Sequence, residues 1–361
     1  LPKLVEAGHR VAICEQVENP KFVKGIVKRE VVEIVTPGTI NTEKIDNQKS
    51  NNYIGCLYFE KNKVGISFID TSTGEFYLGE CLKEKLNNIL LKFSPSEIIL
   101  SKKTVYSTSQ WYRKFRPFVS RIDDWLFEFD IGYKQLKDNF KLGSLKSFGC
   151  DDLKLGIISG GAILNHLKSN LNSSLEHITK IQPILQEGYM HLDGFTIRNL
   201  EIFRSLIEQG THGTLIDVLD NTKTAGGGRL LRKWLFYPLT NKKLIESRLD
   251  IISGLIDHKK MLLLIIKSLK DVIDIERLLS KMNHGKSNPQ ELLALSRTLS
   301  KIPLWLKELK NKKDLRFESV INSFIDNKII INLISNTINK STPNQIKLGN
   351  IILSNVDSEL D

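Results

Sequence analysis

The chain has 361 residues, room for two or three domains, and its 41% hydrophobic and 26% charged content is that of an ordinary folded protein. That composition excludes a mostly disordered chain, and the longest apolar run of the second half, residues 261–266, falls far short of the roughly 20 residues a membrane span needs. The net charge of +11 is spread thinly: 6 Lys+Arg face 5 Asp+Glu in residues 1–42, 19 face 15 in residues 43–175, and 27 face 21 in residues 176–361. No basic run marks a phosphate-binding tail.

The chain starts at Leu1, shows no secretory-signal pattern in its opening residues, and reads as a piece of a longer polypeptide. Residues 10–14 and 31–35 are short strands, the second closed by the turn Thr36-Pro37-Gly38. They are too few for a domain and look like the end of an α/β unit. Residues 54–59 and 64–69 form a strand pair around a turn at 60–63. The turn Asp70-Thr-Ser-Thr-Gly74 then leads to a strand at 75–78. A helix with Leu82, Leu86, Ile89, Leu90 and Phe93 on one face stops at Ser94-Pro95, and Glu97-Ile-Ile-Leu100 follows as a buried strand. A later helix covers residues 156–167. Together these describe a small α/β domain.

From about residue 186 the pattern is helical. Helices are expected over 196–206, 229–236, 272–282 and 289–299, the last opened by Pro289. Asn241 caps another, in which Ile245, Leu249, Ile252 and Ile256 make an apolar stripe.

Chemistry is sparse. The four cysteines, Cys14, Cys56, Cys81 and Cys150, form no CxxC pair and read as reduced thiols, and the histidines show no zinc-site spacing. Thr224-Ala-Gly-Gly-Gly-Arg-Leu-Leu231 is the nearest thing to a phosphate loop. It lacks the Lys-Ser/Thr pair and reads as a flexible turn before a helix starting near Arg229. Asp70, Glu75, Asp123 and Asp124 are the candidates for a magnesium-dependent nuclease, but Asp70 also suits a turn. His166, His177, His191 and His212 have no nucleophile beside them and read as structural. Trp111-Tyr-Arg-Lys-Phe-Arg116 interleaves rings and cations as a nucleic-acid surface does, although a loop packed by its aromatics has the same pattern.

Several ordered strings carry a family resemblance. Leu192-Asp-Gly-Phe-Thr-Ile-Arg-Asn-Leu-Glu201 resembles a signature of the MutS mismatch-repair family, and Gly213-Thr-Leu-Ile-Asp-Val-Leu-Asp220 follows at the family's spacing. Residues 222–239 and Asp274-Ile-Glu-Arg-Leu278 are similar to the next two stretches, although Ala225-Gly-Gly-Gly228 departs from the usual sequence ahead of the Arg. At the front, Val11-Ala-Ile-Cys-Glu-Gln16 and Val35-Thr-Pro-Gly-Thr39 resemble the end of the mismatch-binding domain, and residues 65–76 the opening hairpin of the connector.

The resemblance implies a multidomain α/β plus all-α chain. Residues 1–42 would end the mismatch-binding domain, 43–175 would be an RNase H-like connector, and 176–361 would begin the helical core and lever. It implies a bacterial, cytoplasmic, nucleoid-associated protein that binds mismatched double-stranded DNA. The whole protein would use ATP and magnesium, pair as a homodimer and dock a MutL-type partner through the connector, with no membrane. No catalytic, cofactor or metal residue is expected within this chain. The mismatch-reading Phe-x-Glu would lie before Leu1, and the clamp and ATPase after Asp361. Arg198, Asn199, Glu201, Arg229, Trp234 and Arg277 are the expected connector–lever junction, acting by ion pairing and packing. Two rivals remain: a nuclease around Asp70, and a docking module that works without ATP.

Overall fold

The computed structural model describes residues 1–18, 25–40, 48–107, 109–171, 174–184, 188–207, 210–344, 346–357 and 359. Their contacts divide the chain into two compact units, Leu1–Glu187 with His191–Leu219, and Gly188–Met190 with Asp220–Asp361.

The first unit begins with a short helix, α1 (Pro2–Glu6), and a two-stranded antiparallel ribbon, β1 (Val11–Gln16) with β2 (Arg29–Val35). Val11 pairs with Val35 at the base of the ribbon. A six-stranded sheet follows, built from β3 (Ile54–Glu60), β4 (Lys63–Asp70), β5 (Glu75–Leu82), β6 (Glu97–Ser101), β7 (Phe118–Ile122) and β8 (Gln182–Pro183), in the order β7-β6-β3-β4-β5-β8. β3, β4 and β5 are an antiparallel meander. β6 and β7 lie parallel beside β3, and β8 parallel beside β5.

The period of two along each strand sends alternate side chains to opposite faces. Ile54, Cys56, Phe76, Leu78 and Ile99 join one buried cluster, and Leu57, Val64, Ile66, Phe68 and Ile98 join the other. A sheet apolar on both faces needs a cover on each. The first cluster is closed by residues of α4 (Phe129–Phe140) and α5 (Lys154–Leu171), the second by residues of α2 (Leu86–Phe93) and α3 (Gln110–Phe115). α4 and α5 cross at two glycines. A Cβ on Gly161 would stand 2.1 Å from the Cα of Gly132, so only glycine permits that approach. α6 (Gly194–Asn199) packs on α2, and α7 (Leu215–Leu219) completes the unit.

Several expectations need correction here. β5 runs on to Leu82, which pairs with Lys63 and is exposed, so Leu82 does not belong to the apolar face of α2. β7, α3 and α4 were not anticipated. The helix expected over 196–206 stops at Asn199, because Glu201 turns left-handed at φ 45°. The N–H of Ile202 then reaches back to the carbonyl of Ile197, and that of Glu201 to Arg198, closing the helix end with Ile197 and Ile202 both buried.

The second unit is helical: α8 (Ala225–Phe236), α9 (Lys242–Asp257), α10 (Lys259–Leu269), α11 (Ile275–Asn283), α12 (Pro289–Leu299), α13 (Lys301–Asn311), α14 (Glu318–Ser323) and α15 (Lys328–Thr337). Side-chain caps set the starts: Thr224 accepts from Gly227, Asn241 from Leu244, Asp274 from Arg277, and Asn288 forms a reciprocal capping box with Glu291. Two starts differ from expectation. Thr224 draws the three glycines into the first turn of α8, so they are not a turn ahead of it, and the Asp274 cap delays α11 to Ile275. The cores are small. One gathers Leu278, Leu295, Leu299, Ile334 and Ile338, and the other Met261, Leu309 and Phe317. Ile251 and Leu255 turn α9 toward the second core, while the expected stripe Ile245, Leu249, Ile252 and Ile256 is 37–63% exposed.

Candidate functional site

Arg229, in the second turn of α8, is the most heavily engaged of the expected junction residues. Its guanidinium grips Asp274 with two parallel bonds of 2.7 Å, Nη1 to Oδ2 and Nη2 to Oδ1, while Nε donates to Glu276 Oε2 at 3.0 Å. The planar fork matches a carboxylate in a way a lysine cannot. Burial alone would lower the Arg229 pKa, but bonds and charge from Asp274 and Glu276 raise it, so the cation is secure. Asp274 also caps α11 by accepting from the Arg277 backbone, and the Arg277 Nε stands 3.7 Å from Asp274 Oδ2. One aspartate thus joins the start of α11 to α8. Trp234, about a turn and a half on, is 38% exposed and carries the Arg248 guanidinium 3.9 Å above its ring, a cation–π contact between α8 and α9.

The other three lie in the first unit. Arg198 and Asn199 are exposed at the end of α6, and Glu201 makes the left-handed step that ends it. The Glu201 carboxylate accepts from the Leu206 backbone and its carbonyl from Leu215, holding the loop that follows. Arg229 and Arg277 therefore share a cluster, Trp234 sits further along the same helix, and Arg198, Asn199 and Glu201 belong to the other unit.

Both carboxylate oxygens of Asp70 are hydrogen-bonded, one within its turn and one to the segment ahead of β3. Oδ1 accepts from the backbone and hydroxyl of Ser72, and Oδ2 from Asn51 Nδ2 and the Asn52 backbone. The cleft at the carboxyl ends of β3 and β6 includes Tyr58, Lys83, Asn87, Ser101 and Trp111, with no carboxylate among its described lining side chains. Trp111 is 5% exposed and belongs to the core under α3, with Tyr112 and Phe115 packed against it, so the ring-and-cation run of 111–116 is a helix anchored by its aromatics.

Sequence reasoning overlooked a fully buried polar site. Glu97, fully buried at the start of β6, accepts from Ser120 Oγ at 2.5 Å, from the Gly38 backbone at 3.2 Å and from Thr36 Oγ1. His166, 5% exposed on α5, stands 3.7 Å away. Burial alone would raise the Glu97 pKa, but hydrogen bonds from its neighbours hold it below the usual carboxylate value. The signal was a charged residue opening an apolar strand, which has to find partners when buried. Asp274 was equally visible as a helix-capping aspartate three residues ahead of an arginine.

Family models of MutS domain I, domain II and domain III match residues 1–44, 52–179 and 195–360, in that order. The chain belongs to the MutS family. Among its relatives are the DNA mismatch repair protein MutS of Flavobacterium psychrophilum, 38% identical over 363 residues, and that of Christiangramia forsetii, 40% identical over 362. Both alignments cover all of this chain and 41% of the relative. The chain thus spans about two fifths of the length of the MutS proteins it matches, over their domains I to III. Both units described above lie within that stretch of MutS. No helix among the described residues is long and apolar enough to cross a membrane.

Proposed function

We propose that this chain is the connector and lever of a protein that binds mismatched duplex DNA and couples that binding to ATP. The observation that carries the reading is the unbroken run of MutS domains I, II and III along the whole chain. Within it, residues 1–42 end the mismatch-binding domain, 43–175 form the RNase H-like connector, and 176–361 begin the helical core. The meander flanked by parallel strands and covered by helices on both faces supports the connector assignment.

ATP and magnesium belong to the whole protein on this reading, as do the homodimer, a MutL-type partner on the connector and a nucleoid-associated place in the bacterial cytoplasm. The glycine-rich start of α8 does not suit the phosphates of ATP. Its phosphates need free N–H groups and a lysine, whereas Gly227 N is taken by the Thr224 hydroxyl and Gly228 N by the Thr224 carbonyl. Arg198, Asn199, Glu201, Arg229, Trp234 and Arg277 serve as junction residues that keep packed helices moving as stiff bodies. The nuclease reading loses support because both carboxylate oxygens of Asp70 already accept hydrogen bonds, from Ser72 in its turn and from Asn51 and Asn52 ahead of β3.

The test is a competition binding assay with mismatched and matched duplexes. The complete gene product should prefer the mismatch and hydrolyse ATP. The 361-residue chain alone should bind duplex weakly, with strong salt dependence and no mismatch preference. Robust ATP turnover by this chain alone would overturn the reading, as would magnesium-dependent cutting abolished by Asp70→Asn.

A further inference from the structure

The ribbon β1–β2 stands out from the sheet unit and is exposed toward its free end, with Val17 at 47%, Val31 at 51% and Ile26 at 99% exposure. At its base the picture reverses: Val35, Thr36 and Thr39 are buried. Both strands are gripped there. At the end of β2, the Thr36 hydroxyl and the Gly38 backbone donate to Glu97 on β6, and the Pro37 carbonyl accepts from Asn52 Nδ2 at 2.9 Å. A Cβ on Gly38 would lie 2.2 Å from Ile54 and 2.8 Å from Glu97 Oε2, so the turn is pressed onto the sheet. Just before β1, Arg10 Nη2 donates to Asn170 Oδ1 at 3.1 Å, and Asn170 Nδ2 lies 2.8 Å from His166 Nε2 on the same face of α5. His166 Nε2 lies 3.7 Å from Glu97 Oε1, close to it but not hydrogen-bonded.

The proton arrangement follows from what each group can do. A guanidinium only donates, so Asn170 presents its oxygen to Arg10 and its amide N–H to His166. His166 Nε2 is therefore an acceptor, and the ring proton sits on Nδ1. Arg10, on the surface, thereby fixes the tautomer of a buried histidine beside a buried carboxylate. If Arg10 lets go, Asn170 is free to turn over, and Nε2 can carry a proton toward Glu97.

We propose that two grips, Arg10 on Asn170 just ahead of β1 and Thr36 and Gly38 on Glu97 at the end of β2, form a mount that clamps both strands of the ribbon at their base and so sets the angle at which the domain I segment leaves the connector. These are positioning residues. The mount stands on geometry alone; only its consequence for DNA rests on the function proposed above. A ribbon clamped on one strand hinges, whereas one clamped on both transmits a load applied at its tip.

Cys14 supplies a handle, because it is exposed on β1 while Cys56 and Cys150 are buried. Burial pushes the Cys81 and Cys150 thiols up to about 11, so a thiol reagent at neutral pH selects Cys14. Spin labels on Cys14 and on Lys134→Cys, an exposed position of α4, report the ribbon angle as a distance distribution. The otherwise unaltered chain should give one narrow distance, and Arg10→Gln and Glu97→Ala should each give a distribution roughly doubled in width, as a clamp becomes a hinge. Should Glu97→Ala not fold, Arg10→Gln decides, since it changes only a surface side chain. Nitrogen NMR of labelled histidine gives a second reading that simple destabilisation would not move. His166 should carry its proton on Nδ1, and Arg10→Gln should shift it toward Nε2. Unchanged widths in the folded variants, or an Nε2 proton without any substitution, would overturn the mount. Neither measurement uses DNA, so a failure here is distinct from a failure of the mismatch-binding reading. In the complete protein, Arg10→Gln should lower the preference for mismatched over matched duplex by about fivefold, the loss of one hydrogen bond at ~1 kcal/mol.

Discussion

The two units bury their apolar residues to very different depths. In the sheet unit, Ile54, Leu57, Ile66, Phe68, Phe76, Leu78, Ile98 and Ile99 are all fully buried, because helices cover both faces. In the helical unit the buried clusters are small, and α9 alone leaves Leu244, Leu249, Ile252 and Ile256 at 48–63% exposure. Stability in the first therefore rests on packing, while the second depends more on caps and ion pairs such as Arg229–Asp274. A periodic apolar stripe is thus not by itself a core. Its depth depends on what the rest of the chain lays over it.

Truncation in the two cores should expose that contrast most strongly. Phe68→Ala removes a fully buried ring stacked 4.2 Å from Phe93 and should cost about 3–5 kcal/mol, whereas Leu249→Ala, already 57% exposed, should cost less than about 1 kcal/mol. Urea unfolding followed by hydrogen-exchange mass spectrometry reads the two units separately; equal losses would erase the distinction. Next in size is Arg229→Ala, which strands Asp274, only 13% exposed, at about 3 kcal/mol, with little from Glu276, whose 57% exposure lets water screen it. Arg229→Lys should recover only part of this, since it cannot make the paired bonds, and the loss should show as faster exchange at the start of α11.

Acid should act on the sheet unit through Glu97. Its folded carboxyl is held below the usual value, so its contribution is present at neutral pH. The contribution fades as pH falls through the ordinary carboxylate range toward the lower folded value. Urea midpoints of the β6 region should hold from pH 7 down to about pH 5 and drop as pH falls further, and Glu97→Gln should flatten that dependence. The smallest expected effect is Trp234→Ala. Losing the Arg248 contact at a half-open site should cost about 0.5–1 kcal/mol, visible as earlier opening between α8 and α9.

Much of the fold was legible because local rules and tertiary packing agree. The strand pairs around residues 60–63 and 70–74 were announced by turn residues, and the helix starts at Asn241 and Pro289 by their own chemistry. What stayed hidden depended on distant partners. Ladder pairing with Lys63 holds Leu82 in a strand although its spacing suits a helix, and a non-glycine left-handed step at Glu201 leaves no mark in the sequence. The family strings drew attention to Arg229 and Arg277, yet they did not reveal that Asp274 is the residue both approach. Glu97 needed the fold to bring Thr36, Ser120 and His166 around it from three separate stretches of chain.

The crossing of α4 and α5 at Gly132 and Gly161 has a consequence for heredity. Where two backbones touch, layer thickness is set by the absence of a carbon atom, and one added methyl acts as a wedge against the slab that carries His166 and Asn170. A codon change from glycine to alanine there, mild on paper, forces the two helices apart and should destabilise the sheet unit.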